Sequence, residues 1–169
     1  MKLLTIGILL FLLPFNVCAE LTPGPKARSA GDLALLVTAS DSLKYIEDWV
    51  STSSEKPITI RRITEIKPEQ LAYCAFLVTG LTGDKNNKYN FIVSFRLIGP
   101  DGIIIFEVPQ YAKGRGQIPI KPSFVMADPA LDLVLEASDL AGVYRVEGTV
   151  EDLISGKKAT DTYKIILKK

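Results

Sequence analysis

The chain has no histidine among its 169 residues, and only two cysteines, Cys18 and Cys74. Without histidine, Ser-His-Asp and Cys-His nucleophilic arrangements, imidazole metal sites and the commonest general base are excluded. An enzyme built on this sequence would have to rest on carboxylates, Lys or Tyr. One Trp is present, and only the N-terminus carries a long apolar run. There is no internal repeat and no Asn-x-Ser/Thr sequon.

The opening run, "MKLLTIGILLFLLPFNVCAE", begins with one cation at Lys2, is apolar from Leu3 to Leu13 and breaks at Pro14. This is the pattern of a secretory signal peptide. Val17 and Ala19 supply the small residues that precede a cleavage site, which predicts removal of residues 1–19. The run is shorter than the roughly 20 apolar residues of a membrane span, so no transmembrane segment is expected in the mature chain. A lipid anchor on Cys18 is the minor reading, because Val17 is bulky where lipoprotein processing takes Gly, Ala or Ser. The missing sequon fits a bacterial source, where export leads to the periplasm; otherwise the chain is secreted.

Cleavage leaves 150 residues (169 less 19), the size of one domain with a real core. Losing Lys2 leaves 19 basic residues against 19 acidic ones. A balanced charge gives no footprint for nucleic acid or an anionic membrane. Cys74 is then alone, so no internal disulfide forms. Its neighbours Tyr73, Ala75 and Phe76 include no cation, which predicts a buried, inert thiol.

Residues 20–31, "ELTPGPKARSAG", have no apolar period and are expected to be a flexible leader to a single domain over 32–169. "LALLVT" (33–38) predicts a first edge strand. "SDSLKYIEDWVSTSS" predicts a short amphipathic helix with Ser40 or Asp41 as N-cap and Leu43, Ile46, Trp49 and Val50 facing the core. "ITIRRI" (58–63) has strand composition, and would point Arg61 and Arg62 to opposite faces. "LAYCAFLVTG" (71–80) is apolar on both alternating sets, as in a central strand covered on both faces. "YNFIVSFRLIG" (89–99) alternates, "GPDG" (99–102) predicts a hairpin turn, and "IIIFEV" returns. "FVMA" (124–127), "LDLVLEA" (131–137), "VYRVEGTVED" and "ATDTYKIILKK" complete the series. About seven to nine short strands with one N-terminal helix define an all-β, antiparallel sandwich.

The stretch "SDLAGVYRVEGTV" places Tyr144 just after a turn made by Asp139 and Gly142. It resembles the tyrosine corner of immunoglobulin-like domains, with Val146 in place of the second Cys and Cys74 in the region of the first. The last 30 or so residues also resemble the closing hairpin of bacterial exported domains of immunoglobulin, fibronectin type III or macroglobulin type. The resemblance implies an immunoglobulin-like sandwich and carries no functional residues with it.

Residues 109–122, "PQYAKGRGQIPIKP", are expected to be a loop in which Tyr111, Lys113, Arg115 and Lys121 converge on a carboxylate, phosphate or partner strand. The alternative is a solvated connection. Glu107, Glu136, Glu147, Glu151 and Asp152 are assigned to a solvated face, and "GDKNNK" (83–88) to a turn without the Gly and Glu of a calcium loop. No cofactor and no metal is expected. The reading is an exported, non-catalytic accessory or assembly subunit that binds another envelope or secreted protein. Its alternative is a small ligand- or glycan-binding module, or an enzyme inhibitor, presenting the 109–122 loop.

Overall fold

In a computed structural model that describes residues 32–51, 59–119 and 123–169, the alternating runs become strands whose buried sets face each other across two sheets. The elements are β1 (Ala34–Ser40), α1 (Lys44–Ser51), β2 (Glu65–Ile66), β3 (Ala72–Thr79), β4 (Lys88–Ile98), β5 (Ile104–Gln117), β6 (Val125–Met126), β7 (Leu131–Leu133), β8 (Gly142–Asp152) and β9 (Lys158–Leu167). One sheet has the order β1-β3-β6, with β7 also pairing β3; the other runs β2-β9-β8-β4-β5. All pairings are antiparallel except β2 with β9. The product is a β-sandwich. The predicted signal peptide and leader lie outside the described residues.

The core follows from period-two alternation. Phe91, Val93, Phe95 and Leu97 of β4 meet Tyr144, Val146 and Val150 of β8, Ile165 and Leu167 of β9, and Ala72, Cys74, Phe76 and Val78 of β3, all buried. The opposite set of β3 is also covered. Ala75 and Leu77 lie beneath α1, where Tyr45 is buried and Ile46 and Trp49 pack half-buried, and the Tyr45 hydroxyl donates to the Tyr73 carbonyl at 3.0 Å. That explains why β3 is apolar throughout, as a doubly covered strand must be.

The helix differs from expectation in its start and its face. It begins at Lys44, whose N–H donates to Ser42 Oγ at 3.2 Å, so the capping hydroxyl is neither Ser40 nor a group of Asp41. Tyr45, Ile46 and Trp49 form the inward stripe. At about 100° per residue, Val50 then falls outside that stripe and is 83% exposed, with Leu43 also exposed.

"ITIRRI" forms no strand over its described residues, 59–63. The Ile63 N–H donates to the Ala39 carbonyl at 3.0 Å and ties the segment to β1. The Arg62 guanidinium lies 5.0 Å from the centre of the Tyr163 ring, and Arg61 reaches Asp41 at 3.7 Å. Both arginines thus have partners without being split across a sheet. β2 forms two residues later, beside β9.

The corner at the start of β8 is built as the sequence suggested. Tyr144 is buried, and its hydroxyl donates to the Leu140 carbonyl four residues upstream at 2.8 Å. Gly142 has φ of 140°, and a Cβ there would lie 2.9 Å from Pro100. Glycine is needed both for the backbone conformation and for the approach of the "GPDG" hairpin tip. That tip closes with the Gly102 N–H donating to the Gly99 carbonyl at 3.0 Å.

Candidate functional site

Residues 109–117 are not a loop. They are the second half of β5, paired with β4 from Lys88↔Gln117 to Val93↔Ala112. The glycines that suggested a loop have another purpose. Gly114 and Gly116 stand opposite Phe91 and Tyr89, and a Cβ on either would meet those rings at 2.4 and 2.8 Å. Two aromatic side chains therefore lie across two glycines, so here glycine makes room within a strand.

This strand separates the four residues that the loop reading brought together. Tyr111 points inward. Its ring meets Phe95 edge-on at 4.8 Å, and its hydroxyl donates to the Ala130 carbonyl at 2.9 Å. Lys113 and Arg115 stand opposite Ile92 and Asn90, on the outer face and exposed. The Lys113 backbone exchanges two hydrogen bonds of 2.9 Å with Asp128, which joins β5 to the other sheet. Lys121 lies outside the described residues. Tyr111 thus packs, half-buried, against the core, and residues 109–117 form strand rather than an anion-binding loop.

The first half of β5 is different. Between Val93 and Phe95 the register shifts, so that Pro109, Gln110 and Tyr111 oppose Ser94 alone. Gln110 takes a positive φ of 51°, and its N–H donates to Ser94 Oγ at 3.0 Å. A second shift lies at Ile104–Phe106. Such bulges bend a strand and re-aim its side chains. Beside the first of them lies a cleft of about 620 Å³ on the outer face, lined by Ser94, Phe95, Arg96, Glu107, Pro109, Glu147 and Thr149.

Three strands supply its charges in one row. Arg96 of β4 faces Glu107 of β5 on one side and Glu147 of β8 on the other. Glu147 Oε1 accepts from Arg96 Nε at 2.7 Å and lies 2.6 Å from Nη2. Glu107 makes no ion pair among the described residues and is exposed.

Beside the cleft, four consecutive apolar residues face solvent. Ile103 is 64% exposed, Phe106 is 61% exposed, and Ile104 and Ile105 are exposed between them. Among the described residues, no strand pairs with the outer edge of β5 before the bridge at Lys113. "IIIF" is visible in the sequence as a run that breaks alternation, but it reads there as an ordinary returning strand. The Arg96 row has no such signal, because its members are separated by 11 and 40 positions or more and meet only through register.

The remaining carboxylates divide. Glu136 is exposed, and Glu151 pairs with Lys158 at 3.1 Å. Asp152, expected on a solvated face, is instead buried. It accepts from the N–H groups of Thr82 at 3.0 Å and Ile154 at 3.0 Å and from Ser155 Oγ at 2.8 Å. Burial works to raise its pKa, and these hydrogen bonds outweigh it, holding the carboxyl below its ordinary value. The turn at 84–87 is local: Asp84 Oδ1 accepts from Asn86 and Lys88 N–H, both at 2.8 Å. Cys74 is fully buried, and desolvation pushes its thiol up to about 12.

The class defined by these features is a two-sheet β-sandwich with an open outer strand. No protein-family model matches the chain, and no curated protein matches it in sequence. Solved structures similar to it include a CARDB domain from Pyrococcus furiosus in complex with di-metal ions, at TM-score 0.38 and 12% identity, covering 81% of this chain and 88% of that one. A family 123 glycoside hydrolase from Clostridium perfringens is similar at TM-score 0.43 and 10% identity, over 79% of this chain. A β-glucuronidase from Bacteroides uniformis is similar at TM-score 0.37 and 15% identity, over 57% of this chain. The chain spans only 27% and 11% of those two hydrolases. These scores assign neither a family nor an activity.

Proposed function

We propose that the chain is an exported, non-catalytic, immunoglobulin-like β-sandwich that acts by binding another protein through the first half of β5. The observation that carries this reading is the exposed run Ile103–Phe106 at the start of a strand whose outer edge is there unpaired among the described residues. Contiguous apolar residues at a surface mark contact sites, and a bare strand edge is otherwise an aggregation hazard. Two bulges and Pro109 leave little regular ladder for an added strand. Docking therefore rests chiefly on side chains.

The non-catalytic reading is supported by the histidine-free sequence and by the sealed thiol of Cys74. The immunoglobulin-like reading is supported by the Tyr144 corner. Export, to the periplasm in a bacterial cell, is supported by the pattern of residues 1–19, and purified mature protein should begin at Glu20. Residues 109–117, on which the ligand-module alternative relied, are strand rather than loop.

The test is chemical crosslinking in intact cells of the native source, followed by capture and mass spectrometry. Wild-type protein should yield a discrete partner linked close to residues 103–108. An Ile104→Ser/Phe106→Ser variant should lose that partner while keeping its far-ultraviolet circular dichroism. Undiminished recovery by the variant would remove the proposal.

A further inference from the structure

The cleft beside the apolar run has a charge that the fold leaves uncompensated. It holds one guanidinium, Arg96, against two carboxylates, Glu107 and Glu147. Arg96 is engaged by Glu147, with Nε and Nη2 both directed at one oxygen. The residual negative charge is therefore that of Glu107. Arg145 and Lys164, one row away on β8 and β9, do not line the cleft. Its volume, about 620 Å³, falls within the range of about 300–1,000 Å³ typical of ligand pockets.

Resting on the docking reading above, we infer that this cleft is the socket for a basic side chain of the partner. The partner's contacting segment is an extended run in which a Lys or Arg is bordered by apolar residues. The cation sits against Glu107 with its stem along Pro109, close to the hydroxyls of Ser94 and Thr149, and the apolar neighbours wrap the edge of β5 onto Ile104, Ile105 and Phe106, the last of which stands opposite Leu97 and so emerges from the other face of the sheet. A charged pair at the margin of an apolar contact fixes register and partner choice more than affinity, while the apolar residues exclude water from it.

A second copy of the chain fits poorly. Residues 103–110 contain no Lys or Arg, so two β5 edges brought together would supply each socket with no cation from that segment. Lys113, the next basic residue, belongs to the half of β5 already bridged to Asp128. Phosphates and nucleic acid are disfavoured by the net negative charge of the cleft.

The experiment is selection of a randomised peptide-display library on the immobilised mature protein, with affinities of the enriched peptides measured by fluorescence anisotropy. Enriched sequences should carry a Lys or Arg flanked by apolar residues. Replacing that residue by Gln, or Glu107→Gln in the protein, should weaken binding about tenfold, equivalent to about 1.4 kcal/mol. Glu107→Lys should shift selection toward acidic peptides. Loss of binding in Ile104→Ser/Phe106→Ser with none in Glu107→Gln would keep the docking surface and refute the socket. Peptides indifferent to both variants, or no enrichment, would count against both. Self-association that disappears in the Phe106 variant would make the occupant a second copy and overturn the inference.

Discussion

The two long sides of the sandwich are finished differently. On one side, the outer edge of β1 is stitched down: the Val37 N–H donates to Asp161 Oδ2 at 2.8 Å, and the Ala39 carbonyl accepts from the Ile63 N–H at 3.0 Å. On the other, among the described residues, β5 is tied to the second sheet by the Lys113–Asp128 bridge and the Tyr111–Ala130 hydrogen bond, both in its second half, and its first half projects bulges, an open cleft and four exposed apolar residues. A buried polar edge left unsatisfied is costly, so the closed side is explained by stability alone. The open side is not, because exposed Ile and Phe contribute little to folding and invite association. The difference teaches where to look for function.

One residue type stands in both settings. Phe76 is fully buried between the sheets, whereas Phe106 is 61% exposed. Phe76→Ala should cost about 3–5 kcal/mol in urea unfolding, the usual range for a buried Phe. Phe106→Ala should stay within about 0.5 kcal/mol of wild type. Similar losses at both sites would mean that the first half of β5 contributes as much to folding as β3 does.

A smaller effect is expected from the stitching. Asp161→Ala removes the acceptor of the Val37 N–H and should cost about 1–3 kcal/mol. Its counterpart on the open side, Ser94→Ala, removes the acceptor of the Gln110 N–H. Gln110 is exposed and water can replace the hydroxyl, so the expected cost is about 0.5 kcal/mol or less. Tyr144→Phe, which deletes the hydroxyl donor to Leu140, should fall between them at about 0.5–1.5 kcal/mol. Equal losses in all three variants would erase the distinction between sides.

The buried thiol reports on the closed core by pH. Cys74 is neutral in the fold because its pKa rises from 9.0 to about 12, so between those values the folded chain binds more protons than the unfolded one. Stability present below about pH 9 is then lost as pH rises toward 12. Cys74→Ala should reduce the slope of that alkaline loss, and the wild-type thiol should resist iodoacetamide at pH 8 until denaturant is added. Rapid alkylation of the folded protein would show that this region opens.

Legibility in the sequence followed the range of the signal. β4, the "GPDG" turn, the β8–β9 hairpin and the Tyr144 corner were readable because alternation and turn chemistry act over a few residues. Burial of Cys74 was readable from its neighbours. The start of α1 was misplaced because Ser40 and Asp41 were read as its cap, while Ser42, one position on, has a hydroxyl equally able to accept. Gly114 and Gly116 misled because glycine marks both a loop and a close approach, and only the facing Tyr89 and Phe91 distinguish them. Arg96, Glu107 and Glu147 were beyond local reading, since register across β4, β5 and β8 aligns them.

The first measurement to make is site-specific photocrosslinking in intact cells of the native source, with the photoreactive residue placed at Phe106 or at Thr162. These positions lie on opposite sides of the five-stranded sheet: Thr162 aligns with Glu147 in the row that ends at Glu107, the neighbour of Phe106. One discrete adduct from position 106 and none from 162 is the expected result, and it would mark the open side as the working surface. Adducts from 162 alone, or equally from both positions, would contradict it.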